Sequence, residues 1–470
     1  MSRDKCMSMN EPILDKGTEL QGLSTGVLFP SIDLFGGPVR KAVGPLTPIV
    51  GVSLFQRTVL TLQRAGIRQL IVLSGPEEEQ LKQALLKGPR VTVPVRWMPI
   101  REFPLDDLRT WESLAAEVRG FCLVSGVGTV FPRPLIEELR RDVRAGQAIV
   151  VGPPITEGSD SETVVRAWRS GGTGGIADVM VMPASELSAV GRLAAEFDTV
   201  PIARWLERAA VDGRVRLLTT GDDDPSRWYQ PVLNNADLRL AERRLYSSLK
   251  GEFEGVVDRY FNRKLSRWCT RAFLALGWSP NAITILATVI GLIAAAGFAF
   301  GTYAAGLGAA LLFQLAAVID CSDGEVARLT FTESPFGAWL DLALDNVVHM
   351  AIFGGIAIGA YRQAAGGDHG WMPLALGAAA ICGNALSFAL VNRAQKIKTA
   401  SEWKTPLHAA WSDFMLKNVA SRDFSVVVFL FALLAKLEAF LWLAAIGSLA
   451  FAGVMIWIIR PTAVVSRSSA

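Results

Sequence analysis

The sequence predicts two architectures in one chain: a soluble Rossmann-like α/β domain, followed by an all-α polytopic membrane domain of six helices. Three observations carry this. Through residues 1–245 short apolar runs alternate with amphipathic stretches; from Ala272 to Ile319 there is not one Asp, Glu, Lys or Arg; and Asp320, Asp323, Asp341 and Asp345 stand in or beside segments apolar enough to enter a bilayer. The chain has 470 residues, 51% hydrophobic and 19% charged, with a mean hydropathy of +0.32. Such a balance fits a soluble part joined to a membrane part better than one globular domain. A formal net charge of +3 is too small to point to nucleic acid as a partner. The five cysteines show no metal-ligand or disulfide spacing, which suits a reduced compartment.

In the soluble half, GVLFPSI, QLIVLSG, GFCLVSG, AIVVGPP and DVMVMP read as buried strands, and SLFQRTVLTLQRAG and PLIEELRRDVRAG as amphipathic helices between them. Alternation of this kind predicts βαβ units and a mainly parallel sheet, with any ligand at the carboxyl ends of its strands. The first residues, MSRDKCMSMNEPILDKG, are polar and contain no apolar core segment, so no signal peptide is expected and the domain is placed in the cytosol. The boundaries follow as 1–245 for the soluble domain, 246–278 for a juxtamembrane amphipathic helix, 279–462 for the membrane domain and 463–470 for a cytosolic tail.

The juxtamembrane stretch combines Arg259, Arg263, Lys264, Arg267 and Arg271 with Tyr260, Phe261 and Trp268, a mixture suited to lying against anionic headgroups. Pro280 opens the first span, and the spans are expected near 281–300, 304–328, 335–361, 371–392, 421–436 and 438–460. Lys and Arg concentrate before the first span, near Arg328, from Arg393 to Arg422 and after Arg460. That asymmetry puts both termini, the soluble domain and the aspartates on the cytoplasmic side of the inner membrane.

A carboxylate at membrane depth costs roughly 2.5–3.5 kcal/mol, so four of them require positive partners. Asp320, Asp323 and Ala327 fall at i, i+3 and i+7, and Gly337, Asp341 and Asp345 at i, i+4 and i+8, so each set shares one helix face. An all-oxygen site of this kind suits Mg²⁺ or Mn²⁺ and could hold two ions against a pyrophosphate. Helix-holding ion pairs are a weaker explanation, since Arg328 alone lies nearby in sequence to balance four acids.

The pattern D-x2-D-G-x2-A-R-x8-G-x3-D-x3-D, filled by Asp320, Asp323, Gly324, Ala327, Arg328, Gly337, Asp341 and Asp345, resembles the signature of the CDP-alcohol phosphotransferases. The resemblance implies transfer of a substituted phosphate from a CDP-alcohol to an acceptor hydroxyl, with release of CMP. It further implies Asp320, Asp323, Asp341 and Asp345 as metal ligands with Asp345 also the general base, a nucleotide site formed by Asn281, Gly324, Ala327, Arg328 and Gly337, contact with membrane lipids, and a homodimer. Arg393, Lys396 and Arg422 border the same edge and are candidates for holding a phosphorylated polyol or lipid acceptor. Asp258, Asn262 and Arg263 look like the family's pre-membrane motif.

The order of elements in the first half resembles a sugar-nucleotidyltransferase domain, as in bifunctional enzymes that make CDP-inositol and then use it. The loop FPSIDLFGGPVRKAVGPLTP keeps glycines and Arg40-Lys41 but not the ordered phosphate loop, and SGVGTVF and WYQPVLNNADL stand where such enzymes place metal-binding acids. An inactive cap is the favoured reading, a domain that still makes the CDP-alcohol the alternative, and a non-enzymatic scaffold or ion-binding transporter the competing class. The SGGTGG glycines read as a turn, and His349 and His408 as packing or surface residues.

Overall fold

A computed structural model describes residues 22–30, 43–143, 147–152, 179–194, 201–220, 224, 226–249, 263–364, 370–399 and 424–459. The chain divides into two compact units, Met1–Leu249 and Lys250–Ala470.

The strands of the first unit are β1 (Thr25–Phe29), β2 (Pro48–Ile49), β3 (Val52–Ser53), β4 (Gln69–Ser74), β5 (Val95–Pro99), β6 (Phe121–Gly126), β7 (Thr129–Val130), β8 (Ala148–Gly152), β9 (Val179–Pro183), β10 (Val215–Thr219) and β11 (Gln230–Pro231). Its helices are α1 (Leu54–Arg64), α2 (Glu78–Lys87), α3 (Leu108–Glu117), α4 (Arg133–Arg141), α5 (Ala184–Ala194), α6 (Pro201–Val211) and α7 (Asn235–Ser247).

Seven strands form one sheet in the order β10-β8-β9-β6-β1-β4-β5. Pairing is parallel except where β9 runs antiparallel between β6 and β8. All five residues of β1, β8 and β9 are buried, which is why these strands read as unbroken apolar runs: helices cover both faces of the sheet. Trp111 on α3 stacks near Phe29 of β1 with ring centroids 6.2 Å apart, and its indole N–H donates to the Leu105 carbonyl at 2.8 Å. Helix α1 starts at a capping box in which the Ser53 hydroxyl accepts from the Gln56 amide and the Gln56 side chain accepts from the Ser53 amide, satisfying two otherwise orphaned donors.

The second unit contains α8 (Arg263–Ala275), α9 (Pro280–Phe298), α10 (Tyr303–Thr330), α11 (Pro335–Ala364), α12 (Met372–Thr399), α13 (Phe424–Leu433) and α14 (Leu437–Ile459). Five of these, α9, α10, α11, α12 and α14, are long and apolar enough to cross a membrane. Helix α13 has 10 residues, about 15 Å of rise against a hydrocarbon core of about 30 Å. Among the described residues, six apolar helices therefore occupy the expected places, with five of crossing length. Their outward faces carry Ile285, Val289, Ile293, Leu311, Leu443 and Ile446, all more than half exposed or close to it. Apolar side chains with no protein cover belong in lipid, and this unit is a multi-pass membrane domain.

Helix α9 is capped by Ser279 with Pro280 in its first turn, where the missing N–H costs nothing. At its other end Arg362 donates to the Ala299 carbonyl at 2.7 Å and the Gln363 amide donates to the Gly301 carbonyl. Helices α9 and α11 run side by side and parallel. A Cβ at Gly355 or Gly359 would collide with the backbone carbonyl of Ala295 or Phe298, so glycine there lets the two backbones touch. Helices α10 and α11 are joined by residues 331–334. Phe331 takes the left-handed conformation at φ 61°, the Thr332 amide bonds back to the Ala327 carbonyl at 3.0 Å, and the Ser334 hydroxyl accepts from the Gly337 amide at 2.9 Å.

Candidate active site

The short hairpin between α10 and α11 brings their acid-bearing faces together. One carboxylate oxygen each from Asp320, Asp341 and Asp345 lies within 4.8 Å of the others. Asp320 is buried, at 8% exposure, while Asp341 and Asp345 are half-buried. Like charges so close favour a cation among them or a shared proton. Three hard oxygen donors are the set that Mg²⁺ or Mn²⁺ takes, and these residues fit such an ion.

Asp323 lies outside that group of three. The Thr284 hydroxyl from α9 donates to one of its oxygens, and the amide of Gly324 donates to the other. At i+3 a side chain is turned about 60° from residue i around a helix, and this turn carries Asp323 from Asp320 towards α9.

The remaining expected nucleotide residues gather around the same end of the helices. A Cβ on Gly337 would lie 3.2 Å from the Asn281 amide oxygen, so these two residues adjoin across α9 and α11. Gly324 leaves room for the exposed Arg328 side chain one turn on, whose Nη1 would lie 3.3 Å from a Cβ there. Ala327 is half-buried between them in sequence. Of the acceptor candidates, Arg393 is exposed near the end of α12, Lys396 belongs to the last turns of the same helix, and Arg422 lies outside the described residues. So do Arg40-Lys41, the SGGTGG glycines, Asp258, Asn262, His408 and Asp423. His349 packs edge-on against Phe424 and Phe313, with ring centroids 4.6 and 6.2 Å away.

Sequence reasoning missed Glu325. Its side chain is 3% exposed and accepts from the Ser266 hydroxyl at 2.9 Å and the Thr270 hydroxyl at 2.7 Å, both on α8. An acid beside the signature aspartates, with two hydroxyl residues at i and i+4 on the preceding amphipathic helix, was the available signal. Nearby on α8, Cys269 is half-buried, and burial foremost pushes its thiol above the usual range, with the Glu325 charge adding to it.

In the first unit, the two segments expected to hold metal-binding acids are paired: β7 and β11 form an antiparallel ribbon with Gln230 opposite Val130. From residues 125–131 and 228–238 the sole acid is Asp237, and it accepts from the Leu233 amide at 3.1 Å at the start of α7.

Residues 278–466 match the family model described as CDP-alcohol phosphatidyltransferase. The chain is 32% identical over 123 residues to the bifunctional IPC transferase and DIPP synthase of Aquifex aeolicus, covering 26% of this chain and 28% of that protein. It is 26% identical over 379 residues to the protein of the same description from Rubrobacter xylanophilus, covering 74% of this chain and 79% of that one. Among solved structures, the inositol-1-phosphate CTP transferase from T. maritima is similar at 13% identity and a TM-score of 0.36, covering 49% of this chain and 98% of that one. The hairpin that carries Asp320, Asp341 and Asp345 lies within the segment that matches this family model.

Proposed function

We propose that the protein is a membrane CDP-alcohol phosphotransferase that passes a substituted phosphate from a CDP-alcohol to the hydroxyl of a phosphorylated polyol, releasing CMP, in the synthesis of an inositol phosphodiester. The observation that carries this is the convergence of Asp320, Asp341 and Asp345 from two successive membrane helices, inside the segment that matches the family. The inositol part rests on the relatives, described as bifunctional IPC transferases and DIPP synthases.

Asp320, Asp341 and Asp345 would hold the divalent ions, with Asp323 completing the set. When bound, the ions neutralise charge on the pyrophosphate and on the departing CMP. Asn281 and Gly337 would border the cytidine diphosphate, Gly324 and Ala327 would let it approach α10, and Arg328 would pair with a phosphate. Asp345 would take the proton of the acceptor hydroxyl as its oxygen bonds to phosphorus and the bond from phosphorus to the CMP oxygen breaks. Arg393 and Lys396 would receive the acceptor's phosphate at the cytoplasmic edge.

The first unit is proposed to be a non-catalytic cap. What supports this is the β7·β11 ribbon, which aligns two segments whose one acid already serves a helix start.

The test is CMP release from CDP-alcohols by the full chain in phospholipid nanodiscs, with and without Mg²⁺. Release that needs the ion and falls by about 10²–10⁴-fold in Asp345→Asn is expected. Parental turnover by Asp345→Asn would remove the general-base assignment, and no release at all would remove the transferase reading.

A further inference from the structure

Helix α10 carries two polar faces. Asp320 and Asp323 lie on one; Ser322 and Glu325 lie roughly opposite, since each residue advances about 100° around the axis. The second face is as fully used as the first. Ser322, Ser266 and Thr270 have 0% exposure and Glu325 3%. The Ser322 hydroxyl donates to the Ser266 carbonyl at 3.2 Å, while the Ser266 and Thr270 hydroxyls each donate to a different oxygen of Glu325, at 2.9 and 2.7 Å. Around this polar knot lie Phe273, Ile283, Ile319 and Val326, an apolar cluster shared by α8, α9 and α10.

A buried carboxylate is retained at a cost and needs its hydrogen bonds filled. Apolar residues alone would also pack α8 against α10, but they would let one helix slide or roll along the other. Two hydroxyls one turn apart, each on its own carboxylate oxygen, admit one rotational setting of α10 against α8. The mutual angle of Asp320 and Asp323 to α11 is set by that roll.

We infer that Glu325 is a positioning residue of the metal site: held by Ser266 and Thr270, it fixes the rotation of α10 and so the presentation of Asp320 and Asp323 to Asp341 and Asp345. The inference rests on the proposed transferase reading for its purpose, but its measurement does not depend on turnover. It predicts that loosening a contact on the far side of α10 weakens metal binding on the near side.

The experiment uses the full chain in nanodiscs as the parent, Glu325→Ala, Glu325→Gln and the Ser266→Ala/Thr270→Val pair. Two quantities are read: the affinity for Mn²⁺, from the paramagnetic resonance signal of the free ion, and the rate of maleimide labelling at Cys269, located by peptide mass. Glutamine can accept from one hydroxyl and donate to the other, so Glu325→Gln should keep the parental Mn²⁺ affinity and, losing only the charge that helps to raise the Cys269 thiol, should label far less than tenfold faster. Glu325→Ala and the double variant should label Cys269 about tenfold faster, as expected for losing hydrogen bonds to a buried charged group, and should bind Mn²⁺ about tenfold more weakly. Should Glu325→Ala not accumulate, the double variant reads the same contacts from α8. Faster Cys269 labelling with unchanged Mn²⁺ affinity would overturn the positioning role and leave a simple docking contact. Glu325→Gln as weak in Mn²⁺ binding as Glu325→Ala would overturn it as well, because charge rather than the two hydroxyl contacts would then matter. A parent that binds Mn²⁺ but releases no CMP defeats the transferase reading alone, whereas a parent that takes up no Mn²⁺ defeats both.

Discussion

The contact between Thr284 and Asp323 separates two kinds of acid in one signature. Asp320, Asp341 and Asp345 face each other, while Asp323 is oriented by a hydroxyl from α9 and by the amide of Gly324. An outer hydrogen bond of this type holds a ligand's carboxylate in place and typically contributes 10–100-fold to metal affinity. Thr284→Val should therefore raise the Mg²⁺ concentration for half-maximal CMP release by about tenfold, and Thr284→Ser should restore it. A titration of rate against Mg²⁺ for the three proteins checks this. Cys269 gives a pH prediction. Burial raises its thiol, so the thiolate that reacts with maleimide forms at higher pH than in a free cysteine, and labelling should climb later on the alkaline side. Labelling rates measured from neutral to alkaline pH against a small thiol decide it; coincident profiles would contradict it. The meeting of Asp320, Asp341 and Asp345 was legible because their spacing matches helix geometry within one short stretch. Glu325 and the contact of Thr284 with Asp323 were not, because the partners lie 55–59 and 39 residues apart in sequence and a hydroxyl carries no periodic signal.

Among the elements, the pairing of α9 with α11 bears most directly on the site, since it sets Asn281 beside Gly337. The pair is seated on backbone contact at Gly355 and Gly359. Gly355→Ala and Gly359→Ala should each push the helices apart and lower stability by about 1–3 kcal/mol, the usual cost of overpacking. Thermal unfolding of the nanodisc-held protein measures this; unchanged melting in both variants would refute the close approach. The five strands expected from apolar runs all form, because burial on both faces leaves no room for alternating polarity. Strands β5 and β10 were missed. Both sit at sheet edges, where partial exposure breaks the run, as in Val95–Pro99 with its single fully buried residue. The β7·β11 ribbon, two residues on each side, is too short for any pattern to announce. Helix α13 sits where the fifth span was expected, shorter than the apolar run.

At the scale of the whole molecule, the chain joins a unit built on a sheet to a unit built for lipid, and the two are expected to differ in chemistry. The full chain, given CTP and a polyol phosphate, should release no pyrophosphate, while releasing CMP from a CDP-alcohol. Assaying both products on one preparation tests the division of labour; steady pyrophosphate release would restore the bifunctional reading. The division into a half built on a sheet and a half of apolar helices was legible from the uncharged run Ala272–Ile319, because lipid admits so few charges. The substrates were not, since the acceptor candidates are cations of a kind that anchoring at the membrane edge would equally require. The hairpin of residues 331–334 carries a further consequence for how the gene can change length. One residue inserted or deleted there would turn α11 by about 100° relative to α10 and shift it by about 1.5 Å, moving Asp341 and Asp345 off Asp320 while leaving every side chain of the site intact. Chain length in that turn should thus be held as strictly as the aspartates themselves, even where the identity of its four residues drifts.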